Sequence, residues 1–210
     1  MEDIPQYWIL FVFAFPVLHT YYYGAILGSF IDVEEADLTY WSYSLFAFGG
    51  GGLIYFFAPI EIPFGFDPLY LLLLPVGIGL YMLELNLWYR YTKKPIAVAV
   101  DRIETMVPVP FVSIPEEIVF RAGLIPLIAV IGSSAYVVLS GILFGLYHLV
   151  FSKRDAVLKT FDGILYAGLF LVTGSLWAPI IMHAGYNLAS VYIIADYRHI
   201  PLLRRIAPGT

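Results

Sequence analysis

Two stretches of this chain are apolar for too long. Ala122 to Ser152 is 31 consecutive residues without Asp, Glu, Lys or Arg, and Gly163 to Ala195 is 33. At ~1.5 Å per residue a 31-residue helix would reach ~47 Å, against a bilayer hydrocarbon core of ~30 Å, so neither stretch can be one spanning helix. Each must fold back on itself, and each holds small, turn-forming residues where the reversal belongs: Gly132-Ser133-Ser134 in the first, Thr173-Gly174-Ser175 in the second. Further uncharged runs cover Ile4–Ile31, Leu38–Ile60 and Pro68–Leu83. The pattern predicts an all-α, polytopic membrane helix bundle of about seven transmembrane helices: Tyr7–Ile31, Tyr40–Pro59, Pro68–Tyr89, Ile114–Ile131, Ala135–Phe151, Leu158–Val172 and Leu176–Ile194. The first apolar run is too long for a signal-peptide core and lacks a basic lead, so it reads as a retained helix.

Composition closes off the alternatives. With 60% hydrophobic and 13% charged residues, the chain has too little polar surface to coat a water-soluble fold, where about 25% is charged. A net charge of −5 leaves no basic stripe for nucleic acid. The absence of cysteine excludes disulfides, thiolate metal ligands and a cysteine nucleophile. Ten of the eleven basic residues fall in loops of one parity: Arg90, Lys93, Lys94 and Arg102; Lys153, Arg154 and Lys159; Arg198, Arg204 and Arg205. Basic residues collect on the cytoplasmic side, so the N-terminus is expected outside and the C-terminus inside, with the acidic loop Asp32–Asp37 inside as the least comfortable feature. The eleventh, Arg121, lies within a helix. The Gly49–Gly52 run has no phosphate-binding context and fits close helix packing or a kink. Arg90–Val112 reads as an interfacial connection.

An ionisable side chain inside a spanning helix costs several kcal/mol on insertion scales (~3 for Arg, Lys or Asp at the helix centre), which makes each one a functional candidate. Those present are His19, Glu84, Glu116, Glu117, Arg121, His148, Asp162 and His183. Glu117 and Arg121 are four apart, share a helix face and can pair. Glu116 then points about 100° away from that pair, toward a cavity. Ser113-Ile-Pro-Glu116 also has the S-x-x-E form of a capping box with Pro115 near the helix start, a structural alternative for Glu116. His148, near the end of the fifth helix, reads equally as an interfacial histidine, and His183 with Asn187, again four apart, as a polar helix contact. Depth unites them: with the fourth helix starting inside and the fifth and seventh ending there, Glu116, His148, His183 and Asn187 can meet in the cytoplasmic half of the membrane. Of the others, His19 reads as an aromatic-belt residue beside Tyr21–Tyr23, Glu84 as a partner for Arg90, and Asp162 as a helix-start residue.

A carboxylate, two imidazoles and a carboxamide in a water-accessible, low-dielectric pocket suit peptide-bond hydrolysis. The Glu can take a proton from water and return it to the leaving amine, while His and Asn hold the water and the tetrahedral oxyanion. The alternative is a divalent metal such as zinc, held by His148, His183 and Glu116, with its bound water as nucleophile. Two rivals from other classes remain: a non-catalytic membrane scaffold, and a proton-coupled transporter, the latter disfavoured because the groups gather at one depth instead of forming a path across.

Glu116-Glu117-Ile-Val-Phe-Arg121 matches E-E-x-x-x-R, Phe144-Gly-Leu-Tyr-His148 matches F-x-x-x-H, and His183-Ala-Gly-Tyr-Asn187 matches H-x-x-x-N. In that order on membrane helices they resemble the CPBP family of CAAX proteases and bacteriocin-processing or Abi proteins, which includes the Rce1-type CAAX prenyl endopeptidases. The resemblance covers Ser113 to Ser190. It implies an integral-membrane endopeptidase opening to the cytoplasm, acting on a peptide or lipidated protein such as a prenylated CAAX tail, or serving in bacteriocin immunity. Glu116 resembles the water-activating base, His148 its partner, and His183 with Asn187 the oxyanion pair; Glu117 and Arg121 would orient the site. The family is described both as metal-dependent and as metal-free, and without an H-E-x-x-H the metal-free form is favoured. The expected organisation is residues 1–112 as N-terminal helices and connection, 113–194 as catalytic helices and 195–210 as a cytoplasmic tail.

Overall fold

The computed structural model describes residues 47–58, 60–92, 109–150 and 153–190. The expected first helix with His19, the acidic loop, most of the interfacial connection and the C-terminal tail lie outside these residues. Everything described is helix or short connection, with no strand among the described residues. In chain order the helices are α1 (Ala47–Phe57), α2 (Leu73–Thr92), led in by a 3₁₀ turn at Pro68–Leu72, α3 (Val109–Phe120), α4 (Ile125–Tyr147), α5 (Lys153–Thr173) and α6 (Trp177–Leu188). Three described stretches are long and apolar enough to cross a membrane: Pro68–Trp88, Val109–Tyr147 and Lys153–Thr173. Large apolar side chains along them point outward, among them Leu83, Leu87, Val138, Phe161 and Val172. Polar and charged residues turn inward instead, as lipid surroundings require.

The stretch Val109–Tyr147 reverses direction. Ser140 Oγ donates to the Phe120 carbonyl at 2.8 Å, and Tyr136 Oη to that of Arg121 at 3.1 Å. In one straight helix positions 120 and 140 would stand ~30 Å apart. The reversal combines a 3₁₀ turn at Ala122–Leu124 with a break inside α4 at Gly132, whose φ of 79° and ψ of 163° are not helical. Such a φ suits glycine and strains any residue with a Cβ. The fold-back expected at Gly132 is therefore present. The one expected at Gly174 is present too, with φ 64° between α5 and α6. The turn before α6 is tied to the loop ahead of α2, where Leu176 N–H donates to the Pro63 carbonyl at 2.9 Å and Ser175 Oγ bonds the Gly65 carbonyl.

Small residues let the helices approach closely, the expected device where lipid supplies no hydrophobic drive between them. Gly141 and Gly145 of α4 lie directly on Thr160 of α5, and Gly77 of α2 and Gly185 of α6 each lie against the other helix's backbone. Of the Gly49–Gly52 run, Gly51 does this work: a Cβ there would come within 2.6 Å of Pro115 on α3, so α1 packs where only glycine fits.

Two expected starts are corrected. α3 begins at Val109, five residues before the expected Ile114, so Pro115 lies inside the helix. Ser113 Oγ donates back to the Pro110 carbonyl at 2.8 Å and does not cap a helix start, which removes the capping-box role for Glu116. α5 begins at Lys153, which takes Lys159 and Asp162 out of a loop or helix start and into the middle of a buried face.

Candidate active site

Three helices meet at one polar centre. α3 supplies Glu116, Glu117 and, just past its end, Arg121; α4 ends at His148; α6 supplies His183 and Asn187. All six side chains are buried, with Glu117 and Arg121 at 0% exposure. Glu117 is fully engaged. Its Oε2 accepts from Arg121 Nε at 2.8 Å, and its Oε1 accepts from His183 Nδ1 at 2.9 Å and, at 3.5 Å, from Arg121 Nη2. Arg121 also donates from Nη1 to Ser140 Oγ, and its guanidinium sits 5.1 Å from the Phe144 ring centroid. A buried charge pair is tolerable only when its remaining hydrogen-bond capacity is met, and here it is.

Glu116 is placed differently. Its Oε2 lies 3.4 Å from His183 Nε2 and its Oε1 3.9 Å from His148 Nε2, so the carboxyl group stands between two imidazoles. The bonds at the far sides of the rings decide what faces it. His148 Nδ1 lies 2.8 Å from the Phe144 carbonyl, which can only accept, so Nδ1 carries the hydrogen and Nε2 is the ring atom turned toward Glu116. His183 Nδ1 must likewise donate to the Glu117 carboxylate, leaving Nε2 as the atom that gains or loses a proton. Phe144 holds the assembly, its ring meeting His148 at 4.6 Å and His183 at 5.5 Å, both edge to face. Tyr166 of α5 stacks on the other side of His183 at 4.9 Å and 22°. Asn187 Nδ2 donates to the Val109 carbonyl at 3.1 Å, tying α6 to the start of α3 and leaving its second N–H.

Among the described residues no three His, Asp or Glu side chains are spaced to hold a metal ion. The expected His148–His183–Glu116 set is not among such groups.

A second polar cluster adjoins this one and carries no motif. Tyr186 Oη donates to Glu84 Oε2 at 2.6 Å. Lys159 Nζ donates to Asp162 Oδ2 at 2.8 Å and lies 3.3 Å from the centroid of the Tyr186 ring. Glu84 thus pairs across helices and not with Arg90, whose Nε donates to Asn86 Oδ1 at 3.0 Å. The sequence signal that finds this cluster is the spacing Lys159, Asp162, Tyr166, three and four residues apart on one helix face.

Residues 101–189 match the family model described as type II CAAX prenyl endopeptidase Rce1-like, a span that contains all three motifs. No curated protein and no solved structure matches the chain. Through residues 101–189 the chain resembles the Rce1-like family, a likeness that supports a protease.

Proposed function

We propose that this protein is an intramembrane endopeptidase that cleaves near the C-terminus of a CAAX-like, prenylated substrate by glutamate-activated water. The observation that carries the reading is Glu116 standing between His148 Nε2 and His183 Nε2 at 3.9 and 3.4 Å. Glu116 takes a proton from a water that also donates to the His148 lone pair. The water oxygen bonds to the scissile carbonyl carbon, and the displaced carbonyl electrons form an oxyanion. Protonated on Nε2, His183 donates to that oxyanion, and the Glu117 carboxylate behind it stabilises the imidazolium. The second N–H of Asn187 is the other donor. Glu116 then passes its proton to the departing nitrogen as the C–N bond breaks.

Arg121 acts one step removed, holding Glu117 and through it the plane of His183. The seven-helix topology and the assignment of the reaction to residues 113–194 belong to the same reading. A cytoplasmic opening is supported by the gathering of basic residues at the end of the bundle where α4 terminates: Arg154 of α5 lies over the Trp88 ring of α2 at 4.5 Å, beside Lys153 and near Arg90. The deciding experiment is cleavage of an internally quenched, farnesylated CAAX peptide by purified protein in detergent. Wild type cleaves and Glu116→Gln does not. Cleavage by both variants, or by neither, overturns the reading.

A further inference from the structure

α5 carries none of the three motifs, yet it sets a tyrosine against the proposed oxyanion donor. Gly163 lies so close to α4 that a Cβ there would come within 2.8 Å of Gly141 Cα and 3.0 Å of Phe144 Cβ. Tyr166, three residues further along the same helix face, stacks on His183 with ring centroids 4.9 Å apart and planes 22° apart. Its ring also meets that of Phe144 at 6.3 Å, and the Arg121 guanidinium lies 6.0 Å from its centroid. Tyr166 is 0% exposed, and its hydroxyl has no hydrogen-bond partner among the described residues. The carboxylates of its neighbours are engaged elsewhere: Glu117 by Arg121 and His183, and Asp162, four residues before Tyr166, by Lys159.

A buried hydroxyl without a partner costs about 1–3 kcal/mol, and phenylalanine would fill the same space without that cost. Packing therefore explains the ring and not the oxygen. Elsewhere the bundle does satisfy buried phenols: Tyr136 donates to the Arg121 carbonyl at 3.1 Å and Tyr186 to Glu84 at 2.6 Å. Resting on the proposed protease reading, we infer that Tyr166 is a further donor of the active centre, its hydroxyl bonding the scissile carbonyl oxygen as that atom becomes the oxyanion. The acceptor exists only during the reaction, and it forms beside His183, the ring that Tyr166 covers. A donor fixed by packing and engaged to nothing beforehand breaks no bond when charge develops, which is the condition for stabilising a transition state electrostatically. The hydroxyl keeps its proton throughout, so the proton transfers through Glu116 are unchanged.

The test reads activity and stability of Tyr166→Phe together, by cleavage of the quenched farnesylated CAAX peptide and by thermal unfolding in detergent. In the variant kcat is expected to fall about 10- to 100-fold, the value of one hydrogen bond to a charged group, with KM within about twofold of wild type. Its unfolding temperature should equal or exceed that of wild type, since the substitution removes an unsatisfied buried group. A farnesylated peptide with a phosphinate in place of the scissile amide presents a charged oxygen where the oxyanion forms, and should bind Tyr166→Phe about 10- to 100-fold more weakly than wild type. Wild-type kcat in Tyr166→Phe, a loss confined to KM, or equal phosphinate binding overturns the inference while leaving the protease reading intact. So does a fall in unfolding temperature alongside the lost activity, which makes the hydroxyl structural. Cleavage by neither wild type nor variant overturns the protease reading, and the inference with it.

Discussion

The two buried polar clusters of this bundle lie about one turn apart along α6, at His183 and at Tyr186, and they are built to different rules. The cluster of Glu84, Asp162, Lys159 and Tyr186 is held by a 2.6 Å bond between α6 and α2, a 2.8 Å pair within α5 and the Lys159 ammonium against the Tyr186 ring. The cluster around Glu116 has an equally tight back, the Glu117–Arg121 and Glu117–His183 bonds at 2.8 and 2.9 Å, and a looser front, where the carboxyl meets two imidazole nitrogens at 3.4 and 3.9 Å. Short contacts hold groups still, and longer ones leave room for a reacting atom. The contrast shows two carboxylates adjacent in sequence, Glu116 and Glu117, set in different surroundings, one facing two imidazoles and the other held by Arg121 and His183.

The largest effect that could break this contrast is at Glu116. Glu116→Gln keeps the shape and removes the base, so activity should fall by about 10²- to 10⁴-fold while thermal unfolding in detergent stays within ~1 kcal/mol of wild type. A large loss of folded protein would make Glu116 structural, like its neighbour. Next comes Arg121→Ala, which leaves Glu117 as a buried charge short of its partner and should cost about 3–5 kcal/mol of stability. The double variant Arg121→Met/Glu117→Gln should recover much of that stability and none of the activity. Stable, active Arg121→Ala protein would end the argument that this pair supports the site. Tyr186→Phe removes the 2.6 Å bond to Glu84 and should lower stability by about 1–3 kcal/mol, measured by the same unfolding assay. The smallest effect sharpens the comparison most: Glu84→Gln, the same substitution as at Glu116, keeps an oxygen able to accept from Tyr186 and should cost under about 1 kcal/mol. A loss like that at Glu116 would erase the distinction between the clusters.

Much of the reactive site was legible because charge is rare in the apolar helices. Glu116, Glu117, Arg121, His148 and His183 stand out against their surroundings, and the four-residue spacing of Glu117 and Arg121 anticipates the pair in the fold. The reversals were legible as well, since a run too long for the bilayer must turn and glycine marks where. What misled was proline: Pro115 after Ser113 has the form of a helix start, yet the helix continues through it, and Ser113 meets the Pro110 carbonyl from inside. Lys159 was hidden by the charge rule that made Lys153 and Arg154 informative. A basic residue just beyond an apolar run reads as a loop, and only its spacing from Asp162 and Tyr166 places it on a buried face. Glu84 was misassigned for want of tertiary contacts, because its partner Tyr186 comes from a helix distant in sequence.

Phe144 has a consequence for how this protein can be altered. One ring touches the Arg121 guanidinium and both imidazoles, and packs on Phe120 and Tyr166 as well. A change in its volume therefore shifts both imidazoles and the buried cation together, and no single second substitution can restore all three. Energies of paired substitutions through this ring should fail to add, while pairs spread along the lipid-facing surface should add freely. Tolerance to mutation in this bundle is thus set less by distance from the reacting bond than by whether a residue shares that one aromatic neighbour.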